Sequence, residues 1–214
     1  MNKFENQKSE YSEGTKRSKI EIKTVNDESR PYFQEIWRET WLEQGYAEPE
    51  NIDSIVEHYK EFDSQSVDFL ISVENKPVGT VRLIENRPDS IVPVLKDFII
   101  KEEFKNLKNQ KILEITLMAV KKDFQNQSHE ISMELMKKYY QFAREYGFDQ
   151  AVMAADQRLF RLLKRLGFVI EQIAESKHYE GSVTIPGVID LNKTEKVLQK
   201  TKPELFNYFT NKEQ

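Results

Sequence analysis

The sequence predicts an α/β protein of the α+β type, with a mixed, mostly antiparallel sheet that carries helices on both faces. Two observations predict this fold. The apolar runs at 67–73 and 78–84 are joined by a short polar turn, which is typical of an antiparallel hairpin. Further on, an apolar run at 112–120, a polar loop and a long amphipathic segment precede a short apolar run at 150–155. That order is typical of a strand-helix-strand crossover.

The first strand and helix follow a polar N-terminal stretch. Residues 1–18 are rich in Lys, Glu, Ser and Asn and are predicted to be a disordered tail, which leaves 19–214 as a single domain. The segment IEIKTV at 20–25 alternates apolar and polar residues, as a half-buried strand does. Apolar and aromatic residues then recur at helical spacing from Tyr32, and Gly45 ends that helix.

Two further segments flank the hairpin. A short helix is predicted at 52–59, before the first hairpin strand. After the hairpin, residues 86–110 contain Pro88 and Pro93 among many Lys and Glu residues, which indicates a long irregular or partly helical excursion. Excursions of this length in a compact domain are often lids or binding loops.

Glycines divide the second half of the chain into elements. Gly147 closes the crossover helix, and Gly167 ends another amphipathic helix that begins at Arg158. The remaining elements are predicted as strands at 168–173 and 182–191, on either side of the charged segment ESKHYEG, and as a helix at 194–210 that Pro203 interrupts.

Length and charge exclude several classes of protein. The chain has 214 residues, 38% of them hydrophobic, which is enough to bury a core, and a formal net charge of -4 argues against nucleic-acid binding. No apolar run reaches the roughly 18–20 residues of a membrane span, and the N-terminal stretch lacks the apolar segment of a signal peptide. Because there is no cysteine, disulfides and thiolate metal sites are excluded, and we expect a cytoplasmic protein. The three histidines are not spaced as metal ligands, so no metal site is predicted.

The crossover contains a possible anion site. A strand that leads into a helix N-terminus presents unpaired N–H groups at the positive end of the helix dipole. Here the connecting loop ends in QNQSHE at 125–130 and contains no glycine. We therefore expect no glycine-rich cradle of the kind that wraps a pyrophosphate.

Several segments together resemble the GNAT acyltransferase superfamily: KPVGTVRLI at 76–84, LEITLMAV at 113–120 and RLLKRLGF at 161–168. More narrowly, GTVRLI with Arg82 and LEITLMAV with Glu114 resemble the autoinducer (acyl-homoserine-lactone) synthases and the related N-acyl amino acid synthases. The resemblance implies a GNAT-like fold and the transfer of a fatty acyl group from a thioester.

Three more segments support the narrower resemblance: IWRETWLEQGY at 36–46, EFD at 61–63, and TIPGVIDL at 184–191. The similar stretches span about residues 20–191. The enzymes that they resemble take acyl chains from acyl carrier protein. The resemblance therefore implies this carrier as partner, a small amine as acceptor and no tightly bound cofactor, with acyl-CoA as the alternative donor.

Departures from the GNAT pattern bear on the donor. Gln125 can fill the first position of the superfamily's pyrophosphate loop, but Ser128 and Glu130 stand where small glycines are usual. Leu163 stands where a general-acid tyrosine is usual. These differences disfavour an ordinary coenzyme-A acetyltransferase. A carrier-bound pantetheine arm has a single phosphate and needs less of a cradle.

Departures from the autoinducer synthases bear on the product. Those enzymes usually have an arginine where this chain has Leu117, and an aspartate where it has Lys60. Formation of a homoserine lactone from S-adenosylmethionine is therefore disfavoured. An N-acyl amino acid, or the acyl derivative of another small amine, is the expected product.

Amide formation from a thioester needs a base and a donor for the oxyanion. Glu114 can act as the base if burial raises its pKa, and Arg82 on the adjacent strand can hold it in a bidentate pair or bind an acceptor carboxylate. The alternative is a purely structural ion pair. Backbone N–H groups at Met118, Ala119 and Val120 can bind the oxyanion if the strand bulges there.

For the other candidate site residues, a purely structural role is the alternative to a role in the site. Asp63 is a candidate partner for the amine or for an arginine, or else only caps a loop. Arg38 is a candidate substrate-binding residue, or an ordinary surface arginine on a helix. Trp37 and Trp41 either cover the acyl chain or belong to the core.

Lysines and arginines are concentrated in the crossover and in the helix that follows it. A basic surface on an acidic chain suggests an acidic partner, and acyl carrier protein is strongly acidic. The alternative is a solvated helix face. The residues predicted to bind the carrier protein or its pantetheine arm are Lys121, Lys122, Gln125, Ser128, Arg161 and Arg165.

Three functions stay open at this stage. The first is an N-acyltransferase that uses acyl carrier protein thioesters, with autoinducer synthesis as a variant of the same chemistry. The second is a coenzyme-A-dependent GNAT N-acetyltransferase that acts on a small amine. The third is a catalytically silent protein of the same fold that binds a lipid or a partner.

Overall fold

The computed structural model describes residues 19–211, and the predicted tail at 1–18 lies outside them. The strands are β1 Ile20–Thr24, β2 Ser66–Val73, β3 Lys76–Glu85, β4 Leu113–Val120, β5 Gln150–Asp156, β6 Ile170–Gln172, β7 Lys177–Tyr179 and β8 Ser182–Asp190. The helices are α1 Arg30–Gln44, α2 Ile52–Lys60, α3 Pro93–Asp97, α4 Ser128–Glu145, α5 Gln157–Leu166, α6 Leu191–Thr201 and α7 Pro203–Thr210. Short 3₁₀ segments lie at Asp63–Gln65, Glu102–Asn109 and Lys122–Gln127.

The strands form a single sheet in the order β1-β2-β3-β4-β5-β8-β6, and β7 pairs with the first residues of β8. Every pairing is antiparallel except that between β4 and β5, which α4 connects as a crossover. The prediction of a mixed, mostly antiparallel sheet is confirmed.

Helices cover both faces of the sheet, as predicted. Consecutive strand residues such as Leu83 and Ile84 belong to different hydrophobic clusters, because side chains alternate across a strand. One cluster packs β-strand residues against α4, α5, α6 and α7. The other packs them against α1, α2 and α3. The functional site described below lies on the second face.

The excursion at 86–110 is partly helical, as predicted, but its first half is not an exposed lid. Val92, Val94 and Leu95 are fully buried, and they join the cluster under α1 and α2. Because apolar burial of this extent stabilises the folded chain, this part of the excursion is a structural layer over the sheet.

One strand was not predicted, namely β7, within the charged segment ESKHYEG. It has only three residues and no apolar alternation, so it carries no strand signal of its own. It forms a hairpin with β8 through a two-residue turn at Glu180 and Gly181, both with positive φ. This hairpin places Glu180 in the site.

Candidate active site

The site is a cleft between β4 and β5. These parallel strands pair only at Leu113–Ala151 and Glu114–Val152, and then they separate. From residue 115 onward, no strand within residues 19–211 pairs with the edge of β4 that faces β5. A cavity of about 120 Å³ occupies the opening, lined by residues 115–118 of β4 and 153–156 of β5. We call it the cleft cavity.

Half of the other lining residues are aromatic. They are Trp41 of α1, Tyr46 just after α1, Tyr59 of α2 and Tyr179 of the β7–β8 hairpin. Trp41 contacts Tyr46 and Tyr59 edge-to-face, with ring centroids 6.2 and 6.4 Å apart. Such a wall suits an apolar ligand with few polar groups.

A bulge in β4 shapes the cleft. Thr80 pairs with Ala119 and Arg82 pairs with Thr116, so Leu117 and Met118 together oppose one residue of β3. Leu117 has a φ of 48°, which is strained for a residue with a side chain, and its carbonyl accepts a hydrogen bond of 2.9 Å from the Thr80 hydroxyl. The bulge on which the oxyanion hypothesis depended is present, while the donor role of Met118, Ala119 and Val120 stays a prediction.

A hydrogen-bonded chain crosses the cavity wall. The Thr116 hydroxyl donates to the Tyr59 hydroxyl at 3.0 Å, and Tyr59 donates to Glu180 Oε1 at 3.2 Å. Burial raises the pKa of Tyr59 well above its usual range, so this phenol stays protonated and acts as a donor.

Glu114 lies in the sheet behind the cavity wall and is not among the residues that line the cavity. Its Oε2 accepts the Val94 N–H, in the first turn of α3, at 2.8 Å. Burial raises the pKa of Glu114 well above its usual range, against the opposing effect of the Val94 N–H. The carboxyl group fastens α3 to the sheet.

The predicted pair between Arg82 and Glu114 is wrong. Arg82 instead binds Asp68 of β2 in bidentate fashion, with Nε–Oδ1 and Nη2–Oδ2 distances of 2.7 and 2.8 Å. The register explains this, because Arg82 lies opposite Asp68 on one side and Thr116 on the other, whereas Glu114 lies opposite Ile84. Both charged groups of the Arg82–Asp68 pair are buried.

Arg82 also connects the sheet to the end of α2. Its Nη1 donates to the Tyr59 carbonyl at 2.8 Å, and its Nη2 lies 2.8 Å from Asp63 Oδ1. Asp63 is the half-exposed first residue of a 3₁₀ turn. The predicted contact between Asp63 and an arginine is present, and through Tyr59 this pair reaches the cavity wall.

The predicted substrate-binding residues of α1 separate into two groups. Trp41 lines the cleft cavity, and Trp37 is a buried neighbour whose ring lies 5.5 Å from that of Trp41. Arg38 is bound to Asp53 of α2 at 2.7 Å and is not among the residues that line the cavity.

The predicted carrier-binding residues are also divided. Lys121 is paired with Glu35 and Glu39 of α1, at 3.8 and 3.4 Å, whereas Lys122 is exposed. Arg161 and Arg165 are exposed on α5, the helix that begins where β5 leaves the cleft.

The glycine-free loop is itself helical. Lys122–Gln127, which includes Gln125, consists of 3₁₀ turns with a kink at Phe124, and it leads directly into α4 at Ser128. The amide groups that a glycine loop would turn toward a pyrophosphate belong here to a helical turn.

Comparison with known proteins identifies the family. The family model of the N-acyl amino acid synthase FeeM matches residues 34–189, which include the β4–β5 cleft, its bulge and Arg82. The chain belongs to this family. It is therefore an acyltransferase, and the resemblance to N-acyl amino acid and autoinducer synthases is confirmed. No curated protein matches the chain.

Solved structures show the same fold. FeeM, described as an N-acyl amino acid synthase from uncultured soil microbes, superposes with a TM-score of 0.70 at 17% identity, over 87% of this chain and 99% of that one. The acyl-homoserine-lactone synthase LasI gives 0.54 at 13% identity, over 85% and 95%. A putative N-acetyltransferase from Lactobacillus plantarum gives 0.55 at 12% identity, over 80% and 98%. The FeeM-family chain thus has the GNAT-like fold that was predicted.

Sequence reasoning missed several residues of the site. Tyr46, Tyr59, Asp68 and Glu180 were not among the candidates. Asp68 had a signal, since a charged residue inside an otherwise apolar strand is costly to bury and needs a partner. Glu180 had no such signal in the sequence, because only the β7–β8 hairpin brings it to the cleft.

No helix within residues 19–211 combines the length and the apolar character needed to cross a bilayer. Across the same residues, no three His, Asp or Glu side chains form a group able to hold a metal ion.

Proposed function

We propose that this enzyme transfers a fatty acyl group from an acyl carrier protein thioester to the amine of an amino acid or a similar small amine. The observation on which the proposal depends is the aromatic cleft cavity beside the unpaired edge of β4. An extended pantetheine arm can pair with such an edge as an added strand would, while the acyl chain occupies the apolar cleft.

Two features favour a carrier-linked donor. The approach to α4 is helical and contains no glycine, so it offers a poor site for the pyrophosphate of coenzyme A. The exposed Arg161 and Arg165 of α5 suit an acidic carrier. Acyl-CoA remains the alternative donor, and homoserine-lactone formation remains the alternative product.

The buried polar residues support the cleft. We propose that Arg82 and Asp63 position the end of α2, and with it the Tyr59 hydroxyl. For Glu114 the geometry favours a positioning role at α3 over the role of base, because this side chain lies behind the cavity wall.

Purified protein tests the donor and the acceptor together. We expect N-acyl amino acid formation when long-chain acyl carrier protein is mixed with the amino acids, detected by mass spectrometry of the extracted lipids. With the matching acyl-CoA, we expect at least about tenfold lower kcat/KM, a loss of about 1.4 kcal/mol in transition-state binding. Equal rates with both donors would contradict the carrier assignment, and lactone formation with S-adenosylmethionine would favour the alternative product.

Charge reversal tests the docking surface. We expect Arg161→Glu combined with Arg165→Glu to lower kcat/KM for acyl carrier protein about tenfold or more and to leave the rate with acyl-CoA unchanged, because only the carrier is recognised by its charge. Lys105→Glu with Lys108→Glu changes the net charge equally on the exposed segment Glu102–Asn109 and is the matched control. Equal losses in both double variants would indicate a general charge effect.

A further inference from the structure

We propose that Glu180 takes the proton from the acceptor amine, and that the acceptor enters through a second cavity on the outer side of Glu180. This inference rests on the proposed N-acyl transfer and adds to it a base and an entry route for the acceptor.

The second cavity adjoins the first. It has a volume of about 530 Å³ and lies between the end of α1, the outer side of α2 and the β7–β8 hairpin. Three residues, Tyr46, Tyr179 and Glu180, line both cavities. Glu180 therefore stands at the junction where an acceptor from outside would meet a thioester held in the cleft.

Glu180 is held firmly at this junction. It forms a two-residue turn with Gly181, at φ values of 47° and 70°, which matches the twist of a tight hairpin. The turn packs directly on the end of α1, since a Cβ atom at Gly181 would lie 1.9 Å from the Gly45 carbonyl oxygen. Tyr59 additionally donates to Glu180 Oε1 at 3.2 Å.

The environment of Glu180 suits a base that works at neutral pH. Burial raises the pKa of Glu180 to about 7, against the lowering effects of the Tyr59 hydrogen bond and of His58. A group with a pKa near the working pH is the most effective general base. The titratable groups that line the two cavities with Glu180 are Tyr46, Glu48, His58, Tyr59, Asp97, Asp156, His178 and Tyr179, and Glu114 interacts with Glu180 electrostatically from behind the wall.

The wall of the second cavity favours a cationic acceptor. Asp97 lies beside Glu180, and its Oδ2 accepts from the Tyr179 hydroxyl at 2.8 Å and lies 3.4 Å from His58 Nε2. The neighbouring Asp97 carboxylate raises the pKa of His58. Carboxylates at the inner end attract an ammonium group, and a protonated His58 can bind the carboxylate of an amino acid.

The chemical step is balanced within this arrangement. The Glu180 carboxylate takes one proton from the acceptor ammonium, and the free amine attacks the thioester carbonyl carbon. A C–N bond forms and the C–S bond breaks. The second proton of the attacking nitrogen goes to the leaving thiolate, so the products are an amide and a thiol. Glu180 then returns its proton to water through the second cavity.

Glu180→Gln tests the proposal, because glutamine keeps the size of the side chain and an acceptor for Tyr59. We expect kcat to fall at least about 100-fold, the lower range for loss of a general base. In the wild type, kcat/KM should rise with pH through about 7 as Glu180 loses its proton, and the variant should lack this inflection. Glu175→Gln, an exposed carboxylate before β7, is the matched control and should behave as the wild type.

A second acceptor separates base catalysis from misfolding. Hydroxylamine is unprotonated at neutral pH and needs no base, so the ratio of wild-type to variant rates should shrink to within about tenfold. A variant that keeps the wild-type rate and pH profile overturns the role of Glu180 and leaves the N-acyl transfer intact. If Glu180→Gln is as much slower than the wild type with hydroxylamine as with the amino acid, the role of Glu180 is also overturned, because the defect is then not in proton removal. A wild-type protein that forms no acyl amide from any donor overturns the proposed function itself, and the role of Glu180 with it.

Discussion

Replacing Asp68 with alanine is expected to lower the free energy of unfolding by about 3–5 kcal/mol, because it leaves the buried Arg82 guanidinium without its bidentate partner. Arg30 also loses its contact with Asp68. In a chain of this size the loss corresponds to a fall in melting temperature of about 6–20 °C. Chemical denaturation measures the energy, and calorimetry measures the temperature.

Asp63→Ala is the matched control, since it removes the other carboxylate that contacts Arg82. The Asp63 side chain is 53% exposed, whereas that of Asp68 is 2% exposed. Solvent screens the exposed partner, so we expect a loss below about 1 kcal/mol. Equal losses in the two variants would show that burial does not distinguish these two ion pairs.

The Asp68 pair also shows what sequence reasoning can and cannot reach. Next to the hairpin turn, Val73 pairs with Lys76. If this pairing continued without interruption, Val67 would lie opposite Arg82. A bulge between Ile71 and Ser72 shifts the register by one residue and brings Asp68 there instead. The hydrophobic pattern predicted the hairpin correctly, but bulges leave no comparable trace in composition.

The same limit applies to the cleft. Glycines and apolar periodicity predicted β4, α4, β5 and α5 close to their observed bounds. The glutamate in β4 was prominent because it interrupts an apolar run, yet the bulge at Leu117 determines which of its neighbours face the cavity. Local spacing cannot place Tyr59 beside Glu180, because these residues are 121 positions apart.

The second variant with a large expected effect fills the cleft cavity. Replacing Ala154 with tryptophan is expected to fill the cavity, because Ala154 lines it and is only partly buried. If four methylene groups of a long acyl chain are excluded from the cavity, the binding free energy lost is about 3 kcal/mol, at about 0.8 kcal/mol for each group. The value of kcat/KM for a long-chain donor should therefore fall more than about 100-fold. An acetyl donor should lose far less.

Val183→Trp is the control for the added indole. Val183 lies in β8 between two residues that line the cavity, but its own side chain is 63% exposed. Side chains alternate along a strand, so this indole projects away from the cleft and both donors should react at wild-type rates. A selective loss of long-chain transfer in the Ala154 variant alone places the acyl chain between β4 and β5. Undiminished long-chain transfer in that variant would contradict this, because the tryptophan and the chain cannot occupy the same 120 Å³.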